Sequence, residues 1–251
     1  MNILVSNDDG INGKGLLQLV KALQDVADVY VVAPEGQRSS TSHHLTIHGK
    51  IRVEEREIEG AKKAYALWGT PADCVHLGLN FLFKDIDLVV SGINKGKNVS
   101  TDIIYSGTIA AAREAYLSGV PAVAASMGSY TSEDFELASE YIRDIALKYY
   151  NSKNTSYFIN VNVPALAKKD IKGIRVCGDV TDIKYNDTYT LKKEDDGDYI
   201  YIEPTGIHEA KENDNLSVDS VALNKGYITV SPLFNNHISI EHLDDVANFL
   251  L

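Results

Sequence analysis

The sequence predicts an α/β fold built on a mostly parallel, doubly wound sheet, and three observations lead there. Short β-branched runs end in Gly, Pro, Asn or Asp. These runs are apolar without alternation, as strands covered on both faces are. Longer segments with helical spacing separate them, and strands alternating with helices at this interval build a parallel sheet.

Ile3-Leu4-Val5 is the first strand. Over residues 15–24, Leu16, Leu19, Val20 and Leu23 fall on one helical face. Val29-Tyr30-Val31-Val32 is the second strand, closed by Ala33-Pro34. A polar loop covers residues 35–44, and extended segments cover 45–55 and 64–67. Thr70-Pro71-Ala72-Asp73 starts a helix, with a capping Thr, Pro at the first helical position and an acid in the first turn. That helix runs to about Phe83. Residues 87–92 form another buried strand, Ser106-Gly107-Thr108 opens a helix to about Leu117, and Pro121-Ala122-Val123-Ala124 is a strand. Residues 135–149 are helical and 158–163 extended. After about Pro164 the texture changes to short, charged pieces. Tyr199-Ile200-Tyr201-Ile202, preceded by Asp196-Gly197, reads as half of a hairpin with an Asp-Gly turn. Residues 226–230 read as a strand and 242–250 as a final helix. The chain therefore divides into a core over about 1–164 and an extension over about 165–251.

With 251 residues, 44% of them hydrophobic, the chain can bury a substantial core. A net charge of −11 disfavours DNA and anionic lipid as partners. Cys74 and Cys177 form no CxxC pair, so a thiolate metal site is not expected. The first residues resemble no signal peptide, and no apolar run nears the ~20 residues of a membrane span. The expectation is a soluble cytoplasmic protein.

In open α/β sheets, ligands bind beyond the carboxyl ends of the strands. After the first strand come Asn7, Asp8, Asp9 and Gly10; after the second, Arg38, Ser39 and Ser40; after the third buried strand, residues 91–98, including Asn94 and Asn98. Adjacent carboxylates at a strand end are costly unless neutralised. A hard divalent cation does this, and Asp, Ser and Asn oxygens suit Mg²⁺ or Mn²⁺. Asp8 and Asp9 could instead cap the following helix or make an Asx-turn before Gly10. Lys14, Arg38, Lys95 and Lys97 fall on the same rim and suggest a phosphate held against the metal. Ser106, Gly107 and Thr108 add a helix N-terminus, which presents free N–H groups and a positive dipole end to an anion. Gly92-Ile-Asn-Lys-Gly-Lys-Asn98 misses a P-loop by one spacer and by its last residue. Gly13-Lys14-Gly15 does not continue into a dinucleotide fingerprint, since position 18 is Gln. His43 and His44 read as loop residues beside the site.

Taken together, these segments resemble the SurE family of survival-protein nucleotidases. The resemblance rests on residues 3–10 (ILVSNDDG), 33–39 (APEGQRS), 69–74 (GTPADC), 90–94 (VSGIN) and 105–108 (YSGT), with weaker matches at 159–164 and 226–232. It implies a Rossmann-like sheet with helices on both faces. It also implies a C-terminal extension exchanged between subunits, giving homodimers or homotetramers. It assigns one divalent cation per subunit to Asp8, Asp9, Ser39 and Asn94, and phosphate contacts to Asn98, Ser106, Gly107 and Thr108. The activity implied is hydrolysis of nucleoside 5′- and 3′-monophosphates. Asp8 and Asp9 are the catalytic candidates, with either water or Asp8 itself as the attacking group.

Two other classes compete. A receiver domain also holds Mg²⁺ on paired acids, but it needs a phospho-accepting Asp at a later strand end, where this chain has Ser39 and Asn94. A nucleotide-binding sensor without catalysis would use most of the same residues.

Overall fold

Alternate residues of strand β1 (Asn2–Ser6) serve two different cores. Ile3 and Val5 pack on one side of the sheet with Leu16, Leu19, Phe135 and Ile142; Leu4 packs on the other with Cys74, Val75, Ile109 and Ala112. A strand buried on both faces is what an unbroken apolar run encodes. The structure, a computed structural model, describes residues 1–179, 184–186, 188–192, 201–204, 207–209 and 214–234.

The further strands are β2 (Asp28–Pro34), β3 (Val53–Arg56), β4 (Ala61–Leu67), β5 (Leu88–Lys95), β6 (Ala122–Met127), β7 (Phe158–Val163), β8 (Ile174–Val176), β9 (Lys184–Asn186), β10 (Tyr189–Lys192), β11 (Tyr201–Pro204), β12 (Ile207–Glu209) and β13 (Ile228–Leu233). The helices are α1 (Lys14–Leu23), α2 (Pro71–Leu77), α3 (Asp102–Tyr105), α4 (Gly107–Leu117), α5 (Glu136–Asn151) and α6 (Asp219–Asn224). The main sheet runs β3-β4-β2-β1-β5-β6-β7-β13-β8. Strands β4, β2, β1, β5, β6 and β7 are mutually parallel; β3 and β13 are antiparallel to their neighbours β4 and β7. Helices α1 and α5 cover one face, α2 and α4 the other. The chain leaves β1 toward β2 and later returns to its other side with β5, so the switch point lies between β1 and β5.

The expected elements differ from the observed ones in instructive ways. Residues 45–52 form no strand; only Val53–Arg56 pairs, with β4, while Ile47 stands 79% exposed. The helix at Pro71 ends at Leu77 and continues as a turn of π-helix over Gly78–Leu82. The region after Pro164 is not wholly apart from the core, because β13 pairs with β7 and β8 with β13. Strands β10 and β11 pair as the expected hairpin does. Its Asp196-Gly197 turn and the final helix over 242–250 lie outside the described residues.

Candidate metal and phosphate site

The turn after β1 is made by Asn7. Its Oδ1 accepts from Gly10 N (3.2 Å) and its Nδ2 donates to Gly10 O (2.9 Å). Helix α1 has no side-chain cap and no acid in its first turn. Asp8 and Asp9 are therefore not capping residues, and their carboxylates need another reason to sit together.

Asp8 is buried, and its Oδ1 accepts a hydrogen bond from Thr108 Oγ1 at 2.6 Å. Burial pushes the Asp8 carboxyl up to about 6; the Thr108 bond opposes the shift and repulsion from Asp9 adds to it. Asp9 is also raised by burial, against the pull of Lys95, whose N–H donates to Asp9 Oδ2 at 3.2 Å. Ser39 follows β2, and its Oγ accepts from Gln37 Nε2 at 2.9 Å. Asn94 reaches the rim through a bulge in β5, where Ser91 pairs with Ala124 but Asn94 with Ser126. Gly92 permits the bulge: its φ is +143°, and a Cβ there would lie 2.3 Å from Ala125 O. Asn94 Nδ2 donates to Gly96 O at 2.8 Å, which leaves Oδ1 for a ligand.

Asp8, Asp9, Ser39, Asn94, Asn98 and Ser106 all line one cavity of about 480 Å³ at the carboxyl ends of β1 and β5. A larger cavity, about 710 Å³, lies beside α1, against Leu17, Lys21 and Glu57. The smaller one lies at the switch point, where this fold class binds ligands. Among the described residues no three His, Cys, Asp or Glu side chains form a metal cluster. The donor set is instead two carboxylates with neutral hydroxyl and amide oxygens, which fits a hard, partly hydrated divalent cation and not zinc.

On the phosphate side, Ser106 caps α4, its Oγ accepting from Ile109 N at 3.2 Å. Gly107 presses on the acid pair, since a Cβ would lie 2.9 Å from Asp8 Cβ and 3.0 Å from Pro71 Cγ. Thr108 does not line the cavity; its hydroxyl and its N–H both address Asp8. Asn98 is fixed by a polar network within the sheet. Its N–H donates to Asn162 Oδ1 (2.8 Å), its carbonyl accepts from Asn160 and Asn162, and its Nδ2 donates to Ser126 Oγ (2.8 Å). The second N–H of that amide stays available to an anion.

The basic residues separate. Lys95 and Lys97 line the cavity, but Lys14 pairs with Glu133 outside it. Arg38 does not line the cavity, and its Nε is buried with no partner among the described residues. Both cysteines are free and buried.

Sequence reasoning missed Glu114. This buried side chain of α4 bridges His43 Nε2 and His76 Nδ1, each at 2.8 Å. The two histidines, His43 first, hold its carboxyl below the ordinary range. Its signal was a lone acid among Ala110, Ala111, Ala112 and Ala115 on a buried helix. His44 joins in through its carbonyl, which accepts from Thr70 Oγ1 at 2.6 Å.

A family model described as "Survival protein SurE" matches residues 3–186. The chain is 41% identical to the "5′-nucleotidase SurE" of Clostridium botulinum strain Alaska E43, over 98% of each chain. It is 36% identical to the "5′-nucleotidase SurE" of Petrotoga mobilis, over 100% of this chain and 99% of that one. The crystal structure of the SurE protein from Aquifex aeolicus superposes with a TM-score of 0.85 at 30% identity, covering 99% of both chains.

Proposed function

The chain belongs to the survival protein SurE family, and from that premise we propose that it is a metal-dependent nucleotidase, hydrolysing nucleoside 5′- and 3′-monophosphates to nucleoside and phosphate. The observation that carries this reading is the single cavity that Asp8, Asp9, Ser39, Asn94, Asn98 and Ser106 share.

Asp8, Asp9, Ser39 and Asn94 would hold one Mg²⁺ or Mn²⁺ per subunit, which when bound neutralises a phosphoryl oxygen and lowers the pKa of a bound water. Lys95 N–H fixes the Asp9 carboxylate, and Thr108 fixes Asp8. So oriented, Asp8 is the candidate for moving a proton at the attacking oxygen. The Ser106 hydroxyl and the Gly107 N–H, at the start of the 11-residue helix α4, offer donors to the phosphate at the positive end of the dipole; the Thr108 and Ile109 N–H groups are turned to Asp8 and to Ser106 Oγ. The free N–H of Asn98 adds a donor where negative charge shifts in the transition state. Gly107 contributes by its lack of a side chain, and Thr108 through Asp8.

Further parts of the reading concern the whole assembly. The extension over about 165–251, apart from β8 and β13, which pair within this chain's own sheet, is exchanged between subunits, making a homodimer or homotetramer, and the enzyme works in the cytoplasm on free nucleotides. Among the described residues, no helix is long and apolar enough to cross a membrane. Light scattering on the purified protein tests the assembly, which a monomeric mass would refute.

The activity itself is tested by phosphate release from a panel of 5′- and 3′-nucleoside monophosphates, with and without Mg²⁺ or Mn²⁺. Release that needs the metal and is lost in Asp9→Asn is the expected result. Nucleotide binding with no phosphate release under any metal would leave a sensor in place of an enzyme.

A further inference from the structure

Asp219, the first residue of α6, takes no part in the chemistry above, yet its side chain is buried, with the residue only 1% exposed. A buried carboxylate persists only where hydrogen bonds hold it. Two of its bonds reach across the fold to the loop after β5. Oδ2 accepts from Ser100 N and Oδ1 from Ser100 Oγ, both at 2.9 Å, and Oδ1 also accepts from Ser220 N at 2.6 Å. The neighbouring Val99 packs against Leu223 of the same helix. Ser100 has a φ of +52°, a left-handed conformation that a non-Gly residue keeps only where its surroundings impose it. The turn at 99–100 is therefore seated on α6 by both a polar and an apolar contact.

This turn lies between the phosphate-contact candidates. Asn98 stands two residues before Ser100. On the other side, Val99 O accepts from Asp102 N (3.0 Å) and Ser100 O from Ile103 N (3.3 Å), which begins α3; Asp102 O in turn accepts from Ser106 N (3.1 Å). Helix α3 thus rests on the turn, and Ser106 and Gly107 rest on α3. The metal-ligand candidates Asp8, Asp9, Ser39 and Asn94 all lie outside this segment. We propose that Asp219 is a positioning residue of the phosphate site, setting through Ser100 the place of Asn98 relative to Ser106 and Gly107. The inference rests on the nucleotidase reading and adds that α6, in the C-terminal extension, helps to build the catalytic geometry.

The test uses Asp219→Asn, Ser100→Ala and the double variant. In Asp219→Asn the amide nitrogen, at either oxygen's position, meets a backbone N–H that can only donate, so the turn must shift. Ser100→Ala keeps the backbone bond and loses only the hydroxyl. Three quantities are measured: Mn²⁺ affinity by calorimetry, affinity of the Mn²⁺-loaded protein for inorganic phosphate, and kcat on adenosine 5′-monophosphate. Asp219→Asn should weaken phosphate binding roughly tenfold and lower kcat about a hundredfold, with Mn²⁺ affinity unchanged. Ser100→Ala should move the same two quantities by less, and the double variant should be no worse than Asp219→Asn, because both changes break one contact. Phosphate affinity and kcat unmoved in the single variants would overturn the proposal. So would phosphate and Mn²⁺ affinity falling together, which is general loosening, or effects that simply add in the double variant. If Asp219→Asn does not fold, Ser100→Ala decides alone: weaker phosphate binding at unchanged Mn²⁺ affinity upholds the proposal, and unchanged phosphate binding overturns it. Failure of the nucleotidase reading looks different: the wild type releases phosphate from no nucleotide.

Discussion

The two walls of the cavity are held in different ways. The loop between β2 and β3, which presents Ser39, is tied to buried partners along its length. Arg38 N–H donates to Asp8 O (2.7 Å), His43 meets Glu114 (2.8 Å), His44 O accepts from Thr70, and Thr46 donates twice to Asp73 (2.7 and 2.8 Å). The loop between β6 and α5, which presents Tyr130, is closed mostly on itself. Ser129 Oγ accepts from Thr131 N (3.2 Å) and Ser132 N (3.0 Å), and Glu133 reaches Lys14 and Lys95 at the surface. The difference follows from what each wall does. Metal ligands and reacting atoms must be held to a fraction of an ångström, and it is the Ser39 wall that carries a metal-ligand candidate.

The largest effects fall on the pinned side. Asp9→Asn removes one of the paired charges and is expected to cut kcat/KM about a thousandfold, read as phosphate release. A variant within tenfold of wild type would remove Asp9 from the mechanism. Gly107→Ala comes next. Its methyl group must displace Asp8 or Pro71, and a small misplacement of a reacting group costs about a hundredfold in kcat. The matching binding test is Mn²⁺ titration by calorimetry, in which the same variant binds more weakly. Unchanged affinity and unchanged kcat would show that the α4 terminus does not set the position of Asp8.

Glu114→Gln tests the fastening itself. Replacing a buried charged acceptor of two hydrogen bonds costs about 2 kcal/mol of folding stability at neutral pH, measured by denaturant unfolding. The pH dependence has a definite sign. Glu114 titrates below the ordinary 4.5 in the folded protein, with the His43 bond as the largest cause. Its contribution is therefore fully present above 4.5 and is lost as pH falls through the depressed value. The stability gap between wild type and Glu114→Gln should hold at pH 6 and shrink steadily below 4.5. A gap that widens as pH falls below 4.5 would mean that the carboxylate is not what ties the loop.

How much of this was legible depends on the range over which each feature is encoded. Buried strands and the Thr70–Asp73 capping box are local: an apolar run and a four-residue pattern suffice, and both hydrogen bonds of the box form. The rim was legible because the carboxyl ends of parallel strands converge, which brings Asp8, Asp9, Ser39, Asn94, Asn98 and Ser106 to one cavity. Side-chain direction was not. The helix-start pattern at Ser106 does not say that the Thr108 hydroxyl turns to Asp8, nor does a rim position say that Arg38 buries its Nε. Glu114 with His43 and His76 lay beyond reach for a third reason, because only tertiary packing brings those positions together. Asn160 and Asn162 did carry a local signal: two amides on an otherwise apolar, fully buried strand need partners, and Asn98 supplies them for all but the Asn160 Oδ1.

The smallest expected effect belongs to the other wall and sharpens the contrast. Glu133 is about half exposed and pairs with Lys14 and, at 3.3 Å, with Lys95. Its carboxyl is held below the ordinary range by Lys14 first and Lys95 second. Both contacts lie in water, where such pairs contribute little. Glu133→Gln should therefore leave the denaturation midpoint nearly unmoved. It should still alter binding slightly, because Lys95 lines the cavity and loses the carboxylate that offsets its charge. KM for a nucleoside monophosphate is expected to fall roughly twofold at low ionic strength, and the difference should vanish at high salt, where exposed charges are screened. Kinetics at two salt concentrations, with a denaturation curve for each protein, check both parts. A loss of stability as large as that of Glu114→Gln would mean that this wall is fastened as firmly as the other. The contrast between a pinned wall that presents Ser39 and a loosely held one that presents Tyr130 would then fail.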